Sequence, residues 1–365
     1  MTLTSSTLAP RSRARVLLAR LEGPQTLGRG PAFWGAAFLA VAAAAAYPLM
    51  ADAWTVGNAA YFLIWTFMAM GLGVVWGYAG ALSFGQTAFF GIAGYAYGVL
   101  TLNFGAAYGL TFVALALSVA FGGLFALVIG YFMFYGRIQG VFIGIVTLSV
   151  TLVLERFMSQ TAGPEWAIGS ARLNGFNGMG GMPSLTIPWP GGDIVLFPDV
   201  ALYYLPLAML VVVYLALRIL VNSRCGNVLV AIRENPQRAE MLGYDIRRYQ
   251  LGAFVIGSGL AGLSGVLYTA WGNYITPSSM GMSAAALPVV WVAVGGRSDL
   301  TTTLFGTLLV LAGFQYLTIY GSQYALVVLG VLLVATILAA PSGIFITVGS
   351  LFSKGLRRRL KRESV

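Results

Sequence analysis

The chain has 365 residues, 58% hydrophobic and 9% charged, with 47 glycines and a formal net charge of +10. A soluble domain carries about 25% charged residues, so this composition describes a multi-span membrane protein and excludes an ordinary water-soluble enzyme. One cysteine excludes a disulfide within the chain, and the lack of histidine excludes histidine metal sites and histidine-dependent catalysis.

Residues 1–30 read as a basic N-terminal tail, with Arg11, Arg13, Arg15, Arg20 and Arg29, too long before the first apolar run to be a cleavable signal peptide. The tail is expected to fray or to lie on the membrane surface. Apolar segments follow at 32–50, 59–78, 81–100, 108–134 and 138–157. A long polar stretch at 158–200 precedes the segment 202–221. A polar island at 222–250 leads to the segments 250–271, 284–296, 301–320 and 323–340, and a basic tail closes the chain at 350–365. Most segments approach the roughly 20 residues a helix needs to cross the hydrocarbon. The run 81–100 is broken by Ser83, Gln86 and several glycines, and 284–296 is short, holds Pro288 and ends in Gly295 and Gly296. Either reads as a half-helix or re-entrant piece buried among other helices. The expected fold is an all-α, polytopic membrane helix bundle of about eight to ten transmembrane helices, forming one membrane domain over 31–349.

Charge sets the orientation. With an even number of crossings, both termini, the island and the junctions near Arg137 and Arg297 share one side, which then holds 19 of the 21 basic residues and leaves Arg156 and Arg172 opposite. The positive-inside rule makes that side cytoplasmic. The net charge therefore reads as topology and lipid-headgroup contact, and no nucleic acid is expected as a partner. The external loop 158–200 is rich in Gly and Pro and resists regular structure, while Trp166, Trp189, Ile187 and Phe197 suit either a passive cap or a surface for an external partner.

Small residues recur at four-residue spacing: Gly73 with Gly77, Gly94 with Gly98, Gly122 with Ala126 and Gly130, Gly140 with Gly144, and Ala261 with Gly265. Such strips let helices touch backbone to backbone. The stretch 77–98 differs, because Ser83, Gln86 and Thr87 need hydrogen-bond partners if buried, and Gly80 and Gly85 permit a bent or broken helix. With Tyr78 they form a candidate path for a small, partly apolar solute; the plainer reading is that the hydroxyls bond back to their own helix. In the island, Asn235 is a plausible cap, Pro236 fits the first turn and Gly243 ends the helix, so that a short helix is displayed to a partner or merely solvated as a connector.

Absences narrow the function. No span centre carries Asp, Glu, Lys or His, whereas proton-coupled carriers usually need such groups. There is no phosphate-binding G-x-x-x-x-G-K-[ST] loop, the only lysines being Lys354 and Lys361, and no nucleophile–base or carboxylate pair is placed for catalysis. No cofactor or metal is expected. If the chain pumps, its energy arrives from another protein through the island.

Three blocks carry a family resemblance: GYAGALSFGQTAFFGIAGYAYGVL at 77–100, RENPQRAEMLGYDIRRYQLGAFVIGSGLAGLSGVLY at 233–268, and WVAVGGRSDLTTTLFGTLL at 291–309 followed by APSGIF at 340–345. Together they resemble the LivM-type permeases of bacterial ABC importers for branched-chain amino acids, whose relatives import urea and short amides. The resemblance covers roughly 35–345. It implies a non-catalytic half of a translocation pore in the bacterial inner membrane, paired with a homologous permease subunit, two cytoplasmic ATPase subunits and a periplasmic binding protein. It also implies that a short cytoplasmic helix enters a cleft of the ATPase, here Arg233, Glu234, Asn235, Arg238, Ala239, Glu240, Leu242 and Gly243. Arg238 and Pro236 depart from the family's usual pattern, and the WVAVGGR run looks somewhat closer to urea permeases. A secondary carrier or channel for a small neutral solute is the competing expectation, and it leaves the island without a task.

Overall fold

A computed structural model describes residues 21–105, 109–187, 194–196, 200–340, 343, 344 and 347. The C-terminal tail 350–365, residues 1–20 of the N-terminal tail, and Trp189 and Phe197 of the loop 158–200 lie outside the described residues.

Helix α1, Gly30–Ala46, starts with proline in its first turn, where a missing amide costs nothing, and buries none of its residues. It lies at the rim, tied by the Tyr203 and Tyr204 hydroxyls, which donate to the Ala44 and Ala45 carbonyls at 2.8 and 3.1 Å. Helix α2, Ala53–Leu72, is capped by Asp52, whose carboxylate accepts the Thr55 amide, and continues as a π-helical stretch, Gly73–Tyr78. Asp52 sits at the surface, and its bonds to the Thr55 hydroxyl and amide hold its carboxyl below the usual range. Helix α3, Gln86–Leu100, extends through a π stretch to Gly105. Helices α4, Thr111–Tyr135, and α5, Val141–Ser159, follow. Then come α6, Val200–Val221, with Pro206 inside; α7, Arg224–Glu234; α8, Pro236–Met241; and α9, Ile246–Gly272. Helix α10 is Met282–Gly295, and α11, Leu300–Ala339, is broken by non-helical Gly321.

Among the described residues eight helices are long and apolar enough to cross a membrane. The other apolar helices fall short: α10 has 14 residues, about 21 Å of helix at 1.5 Å per residue against a hydrocarbon core of about 30 Å. The segment expected as a half-helix at 81–100 is instead a helix of spanning length, Gln86–Gly105, 20 residues. The irregularity falls before it, at 79–85. The loop 158–200 departs from the sequence expectation by forming short antiparallel ribbons: β1, Ala167–Ile168, with β2, Ala171–Arg172; β3, Met179–Gly180, with β6, Tyr274–Ile275; and β4, Leu185–Ile187, with β5, Ile194–Leu196. Pairing satisfies backbone groups that a Gly/Pro-rich chain leaves without helix partners.

Helix α9 is the spine, packed against α2, α3 and α4. Small residues set its approach: a Cβ on Gly265 would collide with the Phe90 carbonyl of α3, and one on Gly71 with the Gly257 carbonyl. Not every glycine of these strips is used, since a Cβ on Gly140 would meet nothing within 4 Å, while one on Gly144 would press on Phe84. Aromatic rings fill the rest, with Trp65 stacked on Phe90 at 4.9 Å and Phe89 edge-on to Phe254 at 5.4 Å. On α4, Leu117, Phe121, Leu124 and Val128 face outward, an arrangement suited to lipid rather than water.

Candidate functional site: the membrane break and the polar island

Helix α2 ends by widening. The Ala79 amide donates to Val74 O at 3.2 Å and the Ala81 amide to Val75 O at 3.0 Å, five and six residues back where a regular helix uses four. Gly80, at φ +75°, then turns the chain through a conformation that favours glycine. The next stretch runs along α5: the Phe84 amide donates to Thr147 Oγ1 at 3.1 Å, and Thr151 Oγ1 donates to Phe84 O at 3.5 Å. The Gly85 amide donates to Ser83 Oγ at 3.1 Å, and Gln86 opens α3. Irregular backbone at membrane depth survives only when protein groups satisfy it, and here α5 hydroxyls do so.

The candidate path residues fall into two places. Gly80, Ser83, Gln86 and Thr87 are contiguous at the break, and the last three are buried. Ser83 is spent on the Gly85 amide, but both amide atoms of Gln86 and the Thr87 hydroxyl have no partner among the described residues. Thr87 therefore does not bond back to its own helix. An unsatisfied buried group costs about 1–3 kcal/mol, so this polarity is not explained by packing. Tyr78 stands apart, at the end of α2, where its hydroxyl donates to Gln25 O at 3.1 Å.

The island holds two helices, not one. Proline lacks an amide and disfavours a helical residue before it, so α7 stops at Glu234 and α8 begins at Pro236. Asn235 between them caps α8, its side chain accepting the Arg238 amide at 3.0 Å. Gly243, at φ +85°, lets the chain leave. The stretch expected as one displayed helix is thus divided. Arg233 and Glu234 end α7 and pair at 2.6 Å, and Arg233 also donates to the Gly77 carbonyl and packs on Gly80. On α8, Ala239 is buried with Val228 and Ile232, while Arg238, Glu240, Met241, Leu242 and Gly243 are exposed. Met241 is 87% exposed and Leu242 75%, an apolar tip on a polar face. The island therefore touches the membrane break through Arg233 and offers α8 outward.

Sequence reasoning missed a third element. Residues 21–29 do not fray; they lie across the same end of the bundle. Arg218 of α6 is fully buried beneath them, donating to Leu21 O at 3.0 Å, Gly28 O at 2.9 Å and Tyr214 OH at 2.8 Å. Its guanidinium carbon lies 4.8 and 5.2 Å from the Phe33 and Trp34 rings. Asp299 caps α11 through the Thr302 amide at 2.9 Å and accepts the Leu27 amide at 2.7 Å. Burial pushes its carboxyl above the ordinary range, against the lowering effect of these donors and of Arg218. The available signals were an arginine inside the apolar run LALRILV and a lone aspartate in GGRSDL.

The family model described as branched-chain amino acid transport system / permease component matches residues 55–337. Over 318 residues, 82% of this chain and 72% of the relative, the chain is 27% identical to the high-affinity branched-chain amino acid transport system permease protein LivM of Escherichia coli (strain K12). It is 25% identical, with the same coverage, to the protein of that name from Salmonella typhimurium. A probable branched-chain amino acid transport permease protein LivM from Methanocaldococcus jannaschii is 29% identical over 146 residues, 36% of this chain and 42% of the relative. No solved structure matches the chain.

Proposed function

The chain belongs to the family of permease components of branched-chain amino acid transport systems, and from that premise we propose that it forms half of the translocation pathway of an ABC importer for branched-chain, hydrophobic amino acids. Its partners on this reading are a homologous permease subunit, two cytoplasmic ATPase subunits and a periplasmic solute-binding protein, with the lipid of the bacterial inner membrane around them. The chain itself hydrolyses nothing. Both termini and the island 222–250 face the cytoplasm, the loop 158–200 faces outward, and 31–349 is the permease domain.

The observation that carries this reading is that a member of the family pairs a displayed, capped helix with a broken membrane segment and joins the two through Arg233. Helix α8, with Asn235, Arg238, Ala239, Glu240, Leu242 and Gly243, docks on the ATPase, while Arg233 and Glu234 pass its motion to the break. The pathway is lined by Gly80, Ser83, Gln86 and Thr87, with Tyr78 at its inner end. The unpartnered Gln86 amide and Thr87 hydroxyl serve the polar end of a passing amino acid, and the neighbouring rings serve its side chain.

The test changes Met241→Asp together with Leu242→Asp, exposed positions whose replacement spares the core. The ATPase should no longer copurify and ATP-driven leucine uptake should stop, with the permease still at wild-type abundance. Retained copurification and uptake would remove α8 from the coupling role. In the same vesicles Gln86→Leu should reduce uptake and leave ATPase copurification intact.

A further inference from the structure

We propose that residues 21–29 are a strap that closes the cytoplasmic end of the solute passage and is withdrawn by movement of α7. The proposal rests on the assignment of Tyr78 and Gly80 to the passage and of α7–α8 to coupling.

The strap has a fixed part and a releasable part. At the fixed part, Arg218 Nη2 donates to Thr26 Oγ1 at 3.2 Å and Gly28 O at 2.9 Å, and Nε donates to Leu21 O at 3.0 Å. Asn222, just past the end of α6, accepts the Gln25 amide at 3.1 Å and donates to Thr26 Oγ1 at 3.0 Å. Asp299 holds the Leu27 amide at 2.7 Å. These anchors are buried or nearly so, and a buried arginine bonded at several atoms is costly to expose. Apart from Asn222, which opens the island, they tie the strap to α6 and to the cap of α11, which do not belong to it.

The releasable part is the carbonyl and side chain of Gln25. Its carbonyl accepts the Tyr78 hydroxyl at 3.1 Å, and its side-chain amide donates to Asn227 Oδ1 of α7 at 3.1 Å. The second bond is exposed to water, where a neutral hydrogen bond exchanges readily. One residue thus joins the inner end of the passage to the island. Between the strap, Tyr78, Arg233 and Asp299 lies a cleft of 520 Å³, so the strap bridges the opening without filling it. Lids commonly move as short segments between firm anchors. Displacement of α7 by its docked ATPase pulls Gln25 from Tyr78 while Arg218 and Asp299 keep the rest of the strap in place.

The experiment uses the complete transporter in proteoliposomes with its binding protein and leucine as the probe. Gln25→Cys and Ser298→Cys, which line the same cleft and of which Ser298 does not move with α7, are placed in a Cys225→Ala background and joined by a bis-methanethiosulfonate linker that holds the strap to the end of α11. Linking should reduce both leucine uptake and binding-protein-stimulated ATP hydrolysis at least tenfold, and a reductant should restore them. Unchanged uptake and hydrolysis in the linked transporter would overturn the strap. If the unlinked transporter hydrolyses ATP on demand but moves no leucine, the solute assignment fails instead, and the effect of linking on hydrolysis still decides the strap. Should the double variant not assemble, Gln25→Cys alone is labelled with a maleimide in the nucleotide-free and vanadate-trapped states. The labelling rate should differ at least threefold, and equal rates would refute the proposal.

Discussion

Gly257 stands where α9 crosses α2, and replacing it with alanine tests whether these helices meet backbone to backbone. At 2.5 Å from the Gly71 carbonyl oxygen, the new Cβ would stand about 0.9 Å inside the 3.4 Å at which ordinary contact begins, and it would also strike the Val75 side chain. A side chain can turn away, but a carbonyl in the middle of α2 cannot move without its helix. Overpacking of this kind costs about 1–3 kcal/mol. Gly259 lies two residues along α9, and a Cβ there would meet nothing within 4 Å. Gly259→Ala therefore supplies the control, since it shares any gain in helix propensity, up to about 1 kcal/mol, without the collision. Thermal midpoints of the two purified variants, followed in detergent by size-exclusion chromatography, should differ by at least about 2 °C at roughly 2–4 °C per kcal/mol, with Gly257→Ala the lower. Equal midpoints would refute the close crossing.

Further outcomes follow from single contacts. Thr147→Val removes the hydroxyl that accepts the Phe84 amide and should cost about 1–3 kcal/mol; Thr147→Ser should restore most of the thermal midpoint. Asn235→Ala removes the cap of α8 and should cost that helix about 1 kcal/mol, seen as faster proteolytic cutting near residues 236–243 with the rest of the chain uncut. Burial pushes the Cys225 thiol above its ordinary range. Because the thiolate is the reactive form, iodoacetamide at pH 8 should modify it more slowly than a free thiol, and the deficit should shrink as pH rises.

The sequence made the bundle legible because lipid leaves few choices: long apolar runs become helices that satisfy their own backbones. Local chemistry was legible too, since the Asn235, Pro236 and Gly243 signals define α8 at both ends. What escaped it depended on distance in the fold. Arg218 looked like one more arginine near a helix end, and nothing local to it says that residues 190 positions earlier supply its acceptors. Arg233 read as part of a displayed helix, yet Pro236 divides the island and turns that guanidinium inward to Gly77. The ribbon β3–β6 likewise pairs segments far apart in the chain, a register that composition does not encode.

The slackened end of α2 has a mechanical meaning. In a helix of regular pitch the Gly77 carbonyl would receive the Ala81 amide; here Ala81 reaches back to Val75 and the oxygen goes to Arg233. The guanidinium stands in for a missing backbone donor. Winding α2 back to regular pitch would return that oxygen to its own strand of chain and set Arg233 loose. A twist of the membrane helix and the seating of the island helix are therefore two readings of the same dial.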